Sequence, residues 1–161
     1  MTVAEIDEVA AQVARRLTER GQTVAVAESA AGGLISAALL GQAGASAYFK
    51  GGAVVYNAEA KRQLAGLTTE DLDAVRPSTA PHAAILANSI RERLAADWAI
   101  AETGAAGPTG NRYGDAAGHV ALAVAGPTER TQVVETGESN RQRNMEAFAL
   151  AALHLLADTL G

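Results

Sequence analysis

The stretch "TVAVAESAAGGLISAALL", Thr23 to Leu40, decides how the chain is read. Val24 to Ala27 have the length and composition of a short buried strand. The apolar run stops at Glu28-Ser29, and two alanines and two glycines follow. Leu34, Ile35, Ala38 and Leu39 then recur at helical spacing, up to Gly41. The pattern is strand, tight turn, helix, with Ser29 at the hand-over. Taken alone, a serine there reads first as a helix N-cap, accepting one of the amides that a helix start leaves unpaired. The other reading is a nucleophile. That role needs a base, and the segment lacks the glycine two residues before serine that marks a nucleophile elbow.

Outward from this unit the chain continues to alternate. Val3, Ile6, Val9, Ala10, Val13 and Leu17 mark one helical face behind a Thr2/Glu5 capping-box spacing, with a stop near Gly21. "GGAVVY", Gly51 to Tyr56, reads as a second buried strand, and "AEAKRQLAG" as a short helix with a glycine stop. "TTEDLDAV" predicts a further turn or two of helix before the break at Pro77-Ser78. Ala83, Leu86, Ala87, Ile90 and Leu94 then define another helix. "DWAIAET", Asp97 to Thr103, is a third strand, and Gly104 to Gly118 is a glycine-rich loop. "HVALAVA" and "TQVVET", separated by "GPTER", are strands that can pair as a hairpin. Met145, Phe148, Ala149, Ala152, Leu153 and Leu156 share a face of the last helix. Helices alternating with strands, then adjacent strands, predict an α/β fold: a three-layer α/β/α sandwich with a mixed sheet of about five strands. At 161 residues the expectation is one domain over 1–161.

Composition narrows the function classes. Thirteen basic residues stand against 18 acidic ones, a net charge of −5, and no basic run appears. Nonspecific nucleic-acid binding is therefore disfavoured. The chain has no cysteine, which excludes disulfides, thiolate metal sites and cysteine nucleophiles and fits a cytoplasmic protein. No apolar run approaches the roughly 20 residues of a membrane helix. "MTVAEIDEVAAQVARRL" has no apolar signal core. His82, His119 and His154 lack ligand spacing, so no zinc site is expected.

Four segments carry chemistry-bearing residues. In "ESAAGG" the small residues let a ligand approach the backbone, and the amides of Ala30, Ala31, Gly32 and Gly33 are candidate donors to an oxyanion or phosphate. In "VVYNAEAK" Tyr56 precedes Lys61 on the following helix. A buried, neutral lysine can activate a serine, whereas a solvated helix lysine is the plainer reading. "TGAAGPTGNRYGD" offers Thr103, Gly104 and Gly107 in a loop that either binds an anion or simply crosses the surface; it has no Walker lysine. "SNRQRN" places Arg141 and Arg143 near the start of the last helix, as a phosphate partner or as a solvated basic turn.

Taken in order, "AESAAGG", "FKGGAVVYNAEAK", "TGAAGPTG", "GHV" and "FALAALHLL" resemble the CinA C-terminal domain family. That family includes stand-alone nicotinamide-nucleotide amidohydrolases of the PncC type. The resemblance covers nearly the whole chain. It implies hydrolysis of the carboxamide of nicotinamide mononucleotide to nicotinate mononucleotide and ammonia, without metal or cofactor. By position it implies Ser29 as nucleophile, Lys61 as base and Tyr56 assisting, with Thr103 and the following loop lining the site. Arg141 or Arg143 takes the role of the arginine before the last helix. Family members commonly read "AESCTGG", so Ala30 and Ala31 stand where a thiol and a hydroxyl are usual, and His119 stands for a usual threonine. These departures keep two alternatives open: a nucleotide-binding or regulatory module without turnover, and an amidohydrolase with a shifted substrate. The expected partner is a small nucleotide, with no nucleic acid and no membrane. Apolar Ala/Leu helical faces make a homodimer the expected assembly.

Overall fold

A computed structural model describes residues 3–161. Thr2, and with it the capping box at the start of the first helix, lies outside the described residues. The elements are α1 (Val3–Arg20), β1 (Val24–Glu28), α2 (Leu34–Leu40), a 3₁₀ turn (Ala45–Ala47) and β2 (Phe49–Val54). There follow α3 (Ala58–Ala65), α4 (Thr69–Ala74), α5 (Ala80–Leu94) and β3 (Trp98–Ala105). The chain ends with β4 (His119–Ala125), β5 (Arg130–Glu135) and α6 (Arg141–Leu160). The sheet order is β2-β1-β3-β4-β5. β2, β1 and β3 run parallel, while β4 and β5 are antiparallel neighbours. This is the mixed five-stranded α/β sandwich expected.

Strand alternation assigns the two faces of the sheet. Val24, Val26, Trp98, Ile100, Val120, Leu122 and Val124 pack with the buried sides of α1, α2 and α6. The other face is almost all alanine: Ala25, Ala27, Ala99, Ala101, Ala121, Ala123 and Ala125 meet Ala83, Leu86, Ala87 and Ile90 of α5 and Ala65 of α3. A layer of methyl groups lets α5 lie close against β1, β3 and β4. That close seat is what brings the polar residues of α3 and α5 to the ends of the strands.

Several strand boundaries differ from the sequence reading. β2 begins two residues earlier than expected and ends at Val54, so Tyr56 lies beyond it. It is also not a buried strand: as the sheet edge it alternates between half-buried and exposed. The glycines at its centre answer close approach instead, since a Cβ at Gly52 would collide with Ser36 of α2 and one at Gly51 would lie 3.1 Å from Leu94 of α5. β3 runs on through Gly104 to Ala105, two residues past the expected end, because Gly104 and Ala105 pair with Val120 and His119.

Gly104 is fixed by the same pairing. A Cβ there would stand 2.5 Å from the His119 carbonyl oxygen and 2.9 Å from Val120 Cα. Neither is the end of a flexible side chain. Gly104→Ala should lower stability by about 1–3 kcal/mol, the usual cost of overpacking, read as a lower urea midpoint at unchanged slope.

Candidate active site

The turn after β1 is held by two carboxylates. Helix α2 has Gly33 at its N-cap, with φ of 102° and no capping side chain. Glu28 does that work from below: its Oε1 accepts the Ile35 amide at 3.0 Å and its Oε2 the Ser36 amide at 2.9 Å. Ser29 is therefore not the cap that its local context suggested, since the helix starts five residues later. Among the described residues no group hydrogen-bonds Ser29 Oγ, which faces a cleft. The second carboxylate is Glu102 of β3, whose Oε1 accepts the Ser29 amide at 2.5 Å and the Ala31 amide at 2.7 Å.

Glu102 changes the expected set of oxyanion donors. The Ala31 amide is engaged by that carboxylate, and the Gly32 amide by the Ser29 carbonyl at 3.1 Å. The amides of Ala30 and Gly33 are the pair in this turn without an acceptor among the described residues.

The cleft has a volume of about 490 Å³ and is lined by Ser29, Tyr56, Lys61, Thr103 and Gly104, together with residues of α4 and of the loop after β3. Asn57 caps α3 by accepting the Ala60 amide at 2.9 Å, and this sets Lys61 on the inward face. Lys61 is only 4% exposed. Burial lowers its pKa below the ordinary lysine value, and the negative charge of Glu102 works in the opposite direction. No hydrogen bond joins Lys61 to Ser29 among the described residues. The Lys61 amine instead lies 3.0 Å from His82 Nε2, and His82 Nδ1 lies 3.1 Å from the Val75 carbonyl. Burial, then the neighbouring Lys61 charge, hold His82 at a pKa of about 4. The ring is therefore neutral, with Nδ1–H donating to Val75 and Nε2 accepting from Lys61.

The remaining expected residues separate. Tyr56 is 62% exposed, and its hydroxyl accepts from Arg141 Nη2 at 3.0 Å. Arg141 Nη1 donates to the Gly107 carbonyl at 2.5 Å, so this arginine ties Tyr56 to the glycine loop. Arg143 lines a different hollow with Thr136 and Glu138. The Asn140 cap, which accepts the Arg143 amide at 3.1 Å, fixes that register. Thr103 Oγ1 accepts the Ser78 amide at 3.0 Å. Ala30, Ala31, Gly32 and Gly33 form the turn and Gly107 the loop, and none of these five lines the cleft.

The walls are clamped by ion pairs. Arg76 bonds both oxygens of Asp115, at 2.8 and 3.2 Å, and lies 5.1 Å over the Tyr113 ring. That bond, foremost, holds the Asp115 carboxyl at about 2. His119 joins the Ser78 carbonyl to Glu135, at 2.7 Å on each side. Burial works against its charge, but these two acceptors raise its pKa above the ordinary value. Arg112 lines the cleft, stacks 5.1 Å over Tyr113 and has no carboxylate partner among the described residues.

Sequence reasoning missed three of these. Glu102 is the one acid in the apolar run "WAIAET", which is signal enough to suspect a buried charge. His82 has no ligand spacing in the sequence, and only the packing of α5 on α3 brings it to Lys61. Arg112 carries no signal apart from its place in the loop.

The CinA C-terminal domain profile matches residues 6–160. The chain belongs to the CinA C-terminal domain family. A CinA-like protein of Synechococcus sp. (strain CC9902) is 43% identical over 120 residues, 74% of this chain but 29% of its own length. Another, from Acidobacterium capsulatum, is 44% identical over 134 residues, 81% of this chain and 32% of its own. The chain thus spans about a third of the length of these curated relatives. Among solved structures, a CinA superfamily protein from Klebsiella pneumoniae 700603 superposes with a TM-score of 0.90 at 30% identity, over 96% of this chain and 97% of its own. A competence/damage inducible protein from Agrobacterium tumefaciens gives 0.90 at 32%, over 99% and 98%. No helix among the described residues is long and apolar enough to cross a membrane.

His82 and Glu102 make opposite demands on stability with pH. His82 has a folded pKa near 4 against an ordinary 6.5, so its contribution is complete above 6.5 and is lost as pH falls towards 4. Glu102, raised chiefly by burial from 4.5 to about 7, contributes below 4.5 and loses that as pH rises through 7. Between these values the two slopes oppose. Relative to the parent, the melting temperature of Glu102→Gln should rise more steeply from about pH 4.5 to 6.5, and that of His82→Gln should rise less or fall. Scanning calorimetry across that range checks both signs.

Proposed function

We propose that the chain hydrolyses the carboxamide of nicotinamide mononucleotide to nicotinate mononucleotide and ammonia. The observation that carries this reading is the meeting of Ser29, Lys61, Tyr56 and Thr103 on one cleft. Its volume of about 490 Å³ lies in the range of small-molecule sites.

A carboxamide is a poor electrophile, so it calls for an activated nucleophile, donors to the tetrahedral oxyanion and a proton for the leaving amine. Lys61, its pKa lowered by burial, takes the Ser29 hydroxyl proton as Oγ adds to the carbonyl carbon. The Ala30 and Gly33 amides, the two in the turn without an acceptor among the described residues, lie outside the cleft lining and are not assigned to the oxyanion. Lys61 returns the proton to the amide nitrogen, the C–N bond breaks, and ammonia leaves an acyl-Ser29. Water, deprotonated by Lys61, then adds to the ester carbon and releases the carboxylate and Ser29. Tyr56, held by Arg141, borders the path of these protons. Arg112, stacked on Tyr113 at the far wall, is the cation for the phosphate.

One observation favours a second reading. Lys61 is paired with His82 rather than Ser29, as in a binding module that has the cleft without turnover. Ammonia release from the mononucleotide separates the two. Ser29→Ala and Lys61→Ala should each lower kcat at least about 10³-fold. Binding without any turnover by the parent would establish the second reading. Equal turnover in the parent and Ser29→Ala would remove Ser29 as nucleophile.

The phosphate contact has its own signature. Arg112→Ala should raise KM for the mononucleotide about 10–100-fold, the worth of a charged hydrogen bond. It should leave KM for the corresponding riboside within about twofold. Equal effects on both substrates would place the phosphate elsewhere.

A further inference from the structure

The mechanism leaves one buried acid unused. Glu102 is fully buried, and strand alternation puts its side chain on the face of Ile100, away from the cleft face that carries Thr103. Its Oε1 receives two backbone amides, from Ser29 and Ala31. Its Oε2 is buried and has no hydrogen-bond partner among the described residues. Two amides converging on one oxygen form a small anion nest, here filled by the chain's own carboxylate from behind the nucleophile turn.

We propose that Glu102 is a positioning residue for Ser29: it fixes the Ser29–Ala31 turn from behind the sheet, and its ionisation sets how readily Lys61 gives up a proton. The inference rests on the reading of Ser29 as nucleophile and Lys61 as base. Residues 30–33 are alanines and glycines, so no side chain of that run can accept a hydrogen bond and fix the turn itself. Glu102 supplies the acceptor and ties the serine to the rigid centre of the sheet. The charged groups around it are Glu28 of β1, which opposes its ionisation, and Lys61 of α3, which favours it. His82 of α5, beyond Lys61, is neutral, and Leu122 of β4, its register partner, is apolar. An ionised Glu102 keeps the proton on Lys61, whereas a protonated one lets the amine go neutral. Burial, the largest influence on Glu102, brings its ionisation to about pH 7, within the working range of a hydrolase.

A serine-directed fluorophosphonate tests this without the natural substrate. Ser29 Oγ forms the bond to phosphorus, the P–F bond breaks, fluoride leaves, and the serine proton passes to Lys61. The rate of mass gain is followed from about pH 5 to about pH 9, with Ser29→Ala as the control for the labelled site. Glu102→Gln keeps an acceptor for both amides and removes the charge. Its rate should rise with pH along a limb displaced at least about half a unit to lower pH. Glu102→Leu removes the acceptor and should label at least about tenfold more slowly at every pH. Thermal unfolding of each variant shows whether it is folded, and if the leucine variant is not, the glutamine profile decides. A glutamine profile superimposed on the parent's, or a folded leucine variant labelling at the parent rate, overturns the proposal. A parent that labels at Ser29 but releases no ammonia from the mononucleotide sinks the amidohydrolase reading and leaves this inference standing.

Discussion

Four backbone amides and two buried carboxylates hold the centre of the molecule together. Where β1 ends and α2 begins, the chain turns the amides of Ser29, Ala31, Ile35 and Ser36 toward the protein interior. The intervening residues are alanine and glycine and cannot serve as acceptors. Glu28 and Glu102, near the ends of neighbouring parallel strands, accept all four. Charge-assisted bonds of this kind are among the stronger ones a fold can make, and they satisfy a helix start that has glycine at its N-cap. The cost is carried by Glu102, whose second oxygen has no donor and whose pKa burial lifts to about 7.

The other face of the sheet positions Lys61 by a different means. Seven alanines on β1, β3 and β4 leave no side chain long enough to hold α5 away. The helix settles close, and His82 comes within hydrogen-bond distance of Lys61 on α3. A lysine buried among alanines would ordinarily lie against apolar surface. Here a neutral imidazole, itself anchored to the Val75 carbonyl, gives the amine an acceptor without adding charge. The Ser29 turn is thus fixed from one side of the sheet and the lysine from the other, with the cleft between them at the strand ends. Arg76–Asp115 and Arg141–Gly107 then join the long loop to the body of the domain, and His119 at the start of β4 bonds the Ser78 carbonyl just before α5.

What could be read from the sequence follows the range of the interactions. Strand β1, its turn and α2 are contiguous, and their periodicity changes from short apolar run to helical spacing within eighteen residues. The five strands and the mixed sheet were legible for the same reason. β2 was misjudged as buried because "GGAVVY" looks apolar, whereas its place at the sheet edge depends on strand order, which no local pattern carries. The pairing of His82 with Lys61 spans 21 residues and depends on the seat of α5. Arg141 and Arg143 lie two residues apart, and the helical register set by the Asn140 cap turns Arg141, not Arg143, toward Tyr56 and the glycine loop.

Ser29 itself shows how one tertiary contact reverses a local inference. A serine between a strand and a helix is ordinarily consumed by capping, because its hydroxyl is the nearest acceptor for the first amides of the helix. A hydroxyl held that way points back at the backbone and is badly placed to attack a ligand. In this chain Glu28 reaches past the turn to the Ile35 and Ser36 amides, and the four residues from Ala30 to Gly33 separate Ser29 from the helix start. With capping assigned to the strand's own terminal glutamate, Ser29 Oγ is left facing the cleft without a hydrogen-bond partner among the described residues. The glycines at 32 and 33 then follow from the backbone, whose φ of 69° and 102° lie in the left-handed region. The turn is stripped of polar side chains because its acceptors come from beneath it, and this leaves the serine free for chemistry.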